Sequence, residues 1–259
     1  MNKKLITSAV LTITVFLYIL SSADENPRKV ITLNPHVVIT IGGMEFVEIP
    51  GGTFMMGRNG DTDEAPAHRV KVGGFLMGKY EVTQKQYMEL MGENPSYFKG
   101  DNSLPAECVT WINAMEFCRR FSEKYNVKAR LPYEAEWEYA CRAGTTIAYY
   151  RGDVIDGSFC WYNDNSEGKT HPVGQKKPNK FGLHDMIGNV WEWCMDWYGK
   201  DYYSRSPSVN PEGPATGSFR VFRGGSWVSH DGNVLTTYRN RYPAKRFNDD
   251  LGFRVVVIR

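Results

Sequence analysis

The sequence predicts an α+β fold with unusually little regular secondary structure. Three observations support this prediction: short strand-like segments fill the first part of the chain, three helical patterns follow, and no long helical period appears after Gly144. That second half is rich in Gly, Pro, Asn and Trp, which favours turns and irregular packing. With 259 residues, 42% of them apolar, the chain is long enough for one large domain with its own core.

Six strands are predicted from short runs of apolar, β-branched and aromatic residues bounded by turn residues. A Pro-Gly-Gly turn follows the first run, and a Gly-Gly pair separates the third from the fourth. The polar and acidic stretch over 58–67 is predicted to be a loop. The predicted strands cover residues 46–49, 54–57, 68–72, 75–78, 220–223 and 253–258.

Three helices are predicted between residues 83 and 143. The first begins at Thr83, where Thr-Gln-Lys-Gln forms a capping box: the Thr hydroxyl accepts a backbone N–H and the second Gln reaches back. The second covers about 110–125, with apolar residues near helical spacing. The third covers about 133–143 and is expected to end before Gly144, a residue suited to a helix C-cap.

The first residues have the three-part pattern of a secretory leader. Lys3 and Lys4 give a positive start, residues 5–20 form an uncharged apolar run, and the small residues 21–23 suit cleavage by a signal peptidase. We therefore expect a secreted or periplasmic protein. A membrane-anchored form that keeps the leader is the alternative.

The rest of the chain has ordinary globular composition. The net charge is +2 and no long basic run occurs, so the sequence predicts no nucleic-acid partner. No second apolar run of membrane length follows the leader. The predicted organisation is a signal peptide over 1–23, a linker over 24–41 and one domain over 42–259.

The chain has five cysteines, an odd number that leaves at least one thiol unpaired within the chain. No pair has C-x-x-C spacing, so neither a zinc ribbon nor a thioredoxin-like motif is indicated. We expect most of them to be buried small hydrophobes, and one disulfide is the alternative. They are Cys108, Cys118, Cys141, Cys160 and Cys194.

The chain also carries an ordered set of seven motifs. They are GGTFMMG at 51–57, YEVT at 80–83, NPS at 94–96, LPYEAEWEYA at 131–140, PNKFGLHDMIGNVWEW at 178–193, RGGSW at 223–227 and GFRV at 252–255. In this order they resemble the sulfatase-modifying factor domain, the family of the formylglycine-generating enzyme. The resemblance covers about 42–259 and implies an irregular C-type-lectin-like α+β fold, in agreement with the pattern-based prediction.

The enzyme that founded this family oxidises a substrate cysteine to formylglycine using copper and oxygen, and two of its cysteines hold the copper. The matching positions here are Ser229 and Val234, and every cysteine of the chain lies before Gly224. Copper(I) is a soft ion held by thiolates, so serine is a poor ligand and valine is none. The resemblance therefore implies a non-catalytic member without copper. The alternative is a metal-dependent oxidase, or a formylglycine-generating-type enzyme acting on sulfatase cysteines, with other ligands near Ser229 and His230.

Another branch of the family, the variable proteins of diversity-generating retroelements, displays a binding surface in its last segment. Their diversified codons begin as Asn codons, and mutating the adenines does not yield Lys, Glu, Gln, Met or Trp. Residues 228–250 contain none of these except Lys245, although ordinary bacterial members also carry Asn, Arg and Asp here. The resemblance implies recognition of a protein or a glycan through segment 227–250. The expected contacts are Trp227, Ser229, His230, Asp231, Asn233, Tyr238, Asn240, Tyr242 and Phe247.

The motif over 185–192 resembles a structural calcium site of the family. Carried over by position, its ligands are the carboxylates of Asp185 and Glu192 and the backbone carbonyls of Gly188 and Val190. Calcium binds six to eight hard oxygens, and a short Gly-containing turn directs carbonyls towards one point. The alternative is that the two acids are surface charges beside a Trp-rich core segment.

Overall fold

The computed structural model describes residues 37–60, 62–146 and 154–258. The predicted signal peptide and most of the predicted linker lie outside these residues. Among the described residues no helix is long and apolar enough to cross a membrane. The helices are α1 (Gln84–Met91), α2 (Trp111–Tyr125) and α3 (Glu134–Arg142). The strands are β1 (Val38–Ile41), β2 (Met44–Ile49), β3 (Gly52–Met56), β4 (His68–Val72), β5 (Phe75–Gly78), β6 (Lys128–Arg130), β7 (Trp191–Trp197), β8 (Arg220–Arg223), β9 (Arg239–Tyr242), β10 (Leu251–Gly252) and β11 (Val256–Ile258).

The strands form two sheets and one hairpin. The larger sheet is antiparallel, with the strand order β1-β2-β5-β11-β6, so the last strand of the chain lies inside it. The second sheet has the order β10-β7-β8-β9, in which β10 runs parallel to β7 and the other pairs are antiparallel. Strands β3 and β4 form the separate hairpin.

Strand β2 is buried on both faces because helices cover each side of the larger sheet. Phe46 belongs to a core cluster with Tyr87 of α1 and Phe117 of α2. Its neighbour Val47 points to the other face, in a second cluster with Trp137 of α3. Side chains alternate along a strand, so one strand joins the two halves of the core.

Most elements predicted from local patterns are confirmed. The capping box at Thr83 is present, with the Gln86 backbone N–H donating to the Thr83 hydroxyl and the Thr83 N–H donating to the Gln86 side chain. Helix α2 begins after its N-cap Thr110, close to the predicted start. Strands β4, β5 and β8 have the predicted bounds.

Four features differ from the sequence prediction. Strand β1 occupies the end of the predicted linker, where it pairs with β2. Of the strand predicted over 253–258 only Val256–Ile258 form a strand, β11, and Arg254 before it donates to the buried carboxylate of Glu192. Strands β6, β7, β9 and β10 were not predicted. The left-handed C-cap of α3 falls on Ala143, with φ 44°, one residue before Gly144.

Buried ion pairs connect α3 to the second sheet. Glu134 accepts hydrogen bonds from Arg223 at 3.1 Å and from Arg239 at 2.8 and 2.7 Å. Glu138 accepts from Arg223 at 2.6 Å and from Arg142 at 2.9 Å. All five side chains are buried, so only the oppositely charged partners offset the cost of removing each charge from water.

The substitution Glu134→Ala should lower the free energy of unfolding by about 3–5 kcal/mol, because two buried guanidinium groups lose their shared carboxylate. The matched control Arg119→Ala removes ion pairs on the exposed face of α2, where water screens the charges. Urea denaturation should show a large shift of the midpoint for the first variant and almost none for the second. Equal shifts for both variants would contradict this role of α3.

Candidate functional site

Segment 227–250 lies at the end of the second sheet and contains β9. It begins after the turn at Ser226, passes through a 3-10 turn at Asp231–Asn233 and returns to the sheet before β10. Three of the nine predicted contacts, His230, Asp231 and Phe247, are exposed. Phe247 has 55% of its surface exposed, so its ring is open to contact from outside.

The other predicted contacts face inward to different degrees. Tyr238 packs against the core with its ring 5.9 Å from that of Trp191, and the Tyr242 ring lies 4.8 Å from that of Phe222. Asn233, Asn240 and Trp227 are half-buried. Each of these side chains therefore exposes only part of its surface to solvent.

Ser229 is not a surface residue. It is 6% exposed, and its hydroxyl accepts a hydrogen bond from the Ser226 N–H at 3.0 Å. The Ser226 hydroxyl in turn donates to the carboxylate of Asp250 at 2.9 Å. Ser229 was expected to contact a ligand, whereas in the structure its hydroxyl holds the turn that begins the segment.

Val234, the second position matched to a copper-binding cysteine, is fully buried. It packs against Gly225, whose φ is +77°, and a Cβ on that glycine would lie 2.5 Å from Val234 Cγ1. The two positions that carry the thiolates in the resembled enzyme thus hold packed, inward-facing side chains here.

The structure adds an aromatic neighbour that the sequence analysis missed. The Trp227 ring meets the Phe98 ring edge-to-face at 5.4 Å, and Phe98 meets Tyr97 at 5.1 Å. Tyr97 is 70% exposed, and buried Glu107 fixes its loop by accepting from the backbone N–H groups of Tyr97 and Phe98 at 3.0 and 2.9 Å. The NPS motif precedes these rings, but it gave no signal that they meet the last segment.

The predicted calcium turn is buried, so its two acids are not surface charges. Oδ2 of Asp185 accepts from the Gly174 N–H at 2.7 Å, while Oδ1 is buried without a hydrogen-bond partner among the described residues. Glu192 accepts from Arg254 at 2.6 and 2.7 Å and from the Trp137 indole at 2.7 Å. Gly188 has φ +79°, which curves the turn between the two acids.

This turn contains more buried carboxylates than paired bases. Glu81 lies beside Asp185 and Glu192, accepting from Asn189 at 2.6 Å and from the Val190 N–H at 3.1 Å. Burial raises the pKa of Asp185 to about 6 and raises the pKa of Glu81 well above its usual range. Such shifts mark carboxylates that lack sufficient positive charge around them.

The two carboxylates of the predicted site keep acceptor capacity for a cation. One oxygen of Asp185 is unpaired, and Oε1 of Glu192, which accepts from Arg254, retains a lone pair. No group of three or more His, Cys, Asp or Glu side chains in the described ranges is arranged as a metal site. A site built from two carboxylates and two backbone carbonyls does not require such a group.

All five cysteines are free thiols, so the expected alternative of one disulfide is not found. Four are buried and Cys108 is half-buried, in agreement with their predicted role as small hydrophobes. Burial, followed by a hydrogen bond to Glu107, raises the pKa of the Cys108 thiol to about 12. Burial also raises the pKa of Cys160 to about 12.

Comparison with known proteins gives the family. The profile of the sulfatase-modifying factor enzyme 1-like domain matches residues 40–258. The chain belongs to this family. The resemblance inferred from the seven motifs is therefore confirmed, and the match reaches almost the whole described part of the chain.

Relatives with 30% identity or more have different names. The chain is 32% identical over 264 residues to "Chaperone protein LppX" of Paenibacillus barcinonensis, covering 82% of this chain and 89% of the relative. It is 36% identical over 239 residues to "Serine/threonine-protein kinase pkn1" of Chlamydia caviae, covering 81% of this chain but only 37% of that protein. It is 40% identical over 152 residues to the formylglycine-generating enzyme of Streptomyces coelicolor, covering 53% and 45% of the two chains. Membership of the family therefore does not determine which activity a given member has.

Solved structures confirm the fold class. Treponema denticola variable protein 1 superposes with a TM-score of 0.78 at 32% identity, covering 85% of this chain and 98% of that one. PvdO from Pseudomonas aeruginosa superposes with a TM-score of 0.76 at 26% identity, covering 87% and 99%. The protein has the C-type-lectin-like α+β fold of the formylglycine-generating enzyme type, with little regular secondary structure, as predicted.

The reactivity of the five cysteine thiols tests their burial. In the folded protein at pH 8, Ellman's reagent should react slowly, because a thiol pKa of about 12 instead of 9.0 leaves roughly a thousandfold less thiolate at Cys108. After unfolding in guanidinium without a reductant, five thiols should react. A count of three would reveal a disulfide, and fast reaction before unfolding would show that the thiols are not buried as described.

Proposed function

We propose that this protein is an exported, non-catalytic binding member of the family that recognises a protein or a glycan through segment 227–250. The observation that carries the proposal is the packing of Ser229 and Val234, which occupy the positions of the copper-binding cysteines. Both side chains are buried, and Ser229 is held by Ser226. Neither supplies a thiolate, the ligand that copper(I) requires.

The scaffold around these positions suits a recognition role. The ends of the segment are fixed by buried bonds, whereas His230, Asp231 and Phe247 between them are exposed. The protein of similar structure from Treponema denticola carries the name of a variable protein, which supports a display function. The leader pattern at the start of the sequence supports export.

A metal-dependent oxidase with other ligands is the second candidate, and it needs donors converging near Ser229 and His230. His230 is exposed at the surface, and the described ranges contain no cluster of three histidine, cysteine or carboxylate side chains suited to a metal. The geometry therefore favours binding over oxidation.

The purified full-length protein should contain no stoichiometric copper or iron and should consume no oxygen with a sulfatase-type cysteine peptide. The reason is the absence of thiolate ligands at positions 229 and 234. The Streptomyces coelicolor enzyme, named above, serves as the positive control in the same assay. Redox metal at one equivalent together with oxygen consumption would overturn the proposal in favour of an oxidase.

The binding role has its own test. On arrays of cell-surface proteins and glycans, His230→Ala and Phe247→Ala should weaken binding, whereas Arg119→Ala on the distant surface of α2 should not. A template repeat and a reverse transcriptase beside the gene would support diversification of the segment. Absence of both would contradict diversification of the segment by a retroelement. The binding role itself would still be decided by the array experiment.

We also propose that calcium binds at Asp185 and Glu192, with the carbonyls of Gly188 and Val190, and supplies charge balance and rigidity. Millimolar calcium should raise the melting temperature relative to excess chelator, since a ligand at about 100 times its Kd stabilises by roughly 2.7 kcal/mol. Asp185→Ala should abolish the difference between the two conditions. An unchanged melting temperature on chelation of the unmodified protein would show that this turn holds no calcium.

A further inference from the structure

A polar cleft of about 550 Å³ lies beside β9, and none of the nine contacts expected from the sequence is among its described lining residues. Its described lining includes Thr62, Asp63, Tyr198, Lys200, Asp201 and Arg241. Three separate parts of the chain meet there: the loop before β4, the residues after β7 and strand β9. We call this feature the β9 cleft.

A buried arginine fixes the walls of the β9 cleft. Arg239 donates to the backbone carbonyl of Asp63 at 2.9 Å and to that of Gly199 at 3.3 Å, while the same guanidinium pairs with Glu134. The Tyr198 hydroxyl donates to Asp63 Oδ2 at 2.7 Å and closes the connection between the two loops. The cleft is therefore preorganised, which lowers the entropy cost of binding.

Arg241 presents its guanidinium at the mouth of the cleft. It lies two residues after Arg239 on β9, so both side chains point to the same face of the strand. Its guanidinium carbon is 4.2 Å from the centre of the Tyr198 ring, and one of its nitrogens is 3.7 Å from Asp63 Oδ2. The side chain is 44% exposed, so most of its N–H donors remain available to a ligand.

The charged side chains of the cleft balance one another. Its described lining has two acids, Asp63 and Asp201, and two bases, Lys200 and Arg241. A site without excess charge of one sign gives no long-range attraction to an anion or a cation. The lining instead supplies both donors and acceptors, a combination that suits hydroxyl groups because each of them donates and accepts at once.

We propose that the β9 cleft binds a neutral glycan, with adjacent hydroxyls paired to the guanidinium of Arg241 and the carboxylate of Asp63. A planar guanidinium contacts two neighbouring oxygens through parallel N–H groups, and a carboxylate accepts from two neighbouring hydroxyls. The volume of about 550 Å³ is within the range of small-ligand sites. This inference rests on the proposed binding function and names its ligand class and its site.

The test uses the full chain on an array of neutral, sulfated and sialylated glycans, followed by titration of the best neutral glycan. Arg241→Ala should weaken that binding about tenfold or more, and Arg241→Lys should not restore it, because an ammonium lacks the planar pair of donors. The matched control Arg119→Ala removes an arginine from the exposed face of α2, outside both segment 227–250 and the β9 cleft, and should bind normally. Lys200→Ala, at an exposed position that no ion pair in the described residues uses, gives a second variant that should fold normally and bind more weakly.

Three results distinguish failure of the β9 cleft as a glycan site from failure of the proposed binding function. If Arg241→Ala binds the glycan normally and His230→Ala does not, recognition occurs elsewhere on segment 227–250. That result would overturn the glycan site in the β9 cleft but not the proposed binding function. Binding restricted to sulfated or sialylated glycans, or to charged peptides, would overturn the neutral ligand class. Oxygen-dependent oxidation of a cysteine peptide would instead overturn the proposed function itself.

Discussion

The pairing of two buried arginines of the second sheet with two glutamates of α3 is the constraint on which the irregular half of the molecule depends. Arg223 and Arg239 are both buried, and Glu134 accepts hydrogen bonds from each of them. Removing one member would leave charge in the interior, which costs far more than a surface ion pair contributes. Strands β8 and β9 are thereby held on a helix, although few ladder bonds surround them.

This constraint divides segment 227–250 into an inner and an outer set of positions. Arg239 points inward to Glu134, whereas Arg241, two residues later, extends past Tyr198 to the surface. Likewise Val234 is buried, whereas His230 is exposed. Changes at outer positions leave the buried pairs intact, which the recognition surface that we propose requires. The positions of the two catalytic cysteines belong to the inner set, where serine and valine satisfy packing without providing a metal ligand.

Local signals predicted the helices well, because a capping box and a helical period depend on residues only a few positions apart. Strand β7 was missed because WEWCMDW is buried on both faces and has no alternating pattern. The site was harder to predict, since the sequence does not show which side chains of a loop face inward: Ser229 was expected at the surface and is buried. The β9 cleft brings Asp63, Tyr198 and Arg241 together, and no pattern of spacing indicates contacts between residues so far apart in the chain.

The acidic turn over 185–192 is connected to the recognition segment by the backbone itself. The Gly188 N–H donates to the Gly224 carbonyl at 2.9 Å, and the Trp227 N–H donates to the Asn189 carbonyl at 2.8 Å. In our proposal calcium offsets the excess of carboxylates at this turn, and these bonds then hold the start of segment 227–250 in place. Arg254 performs a similar role through Glu192 at the other end of the segment, where the chain enters β11. Charge compensation in the interior therefore fixes both ends of the surface that we propose for recognition.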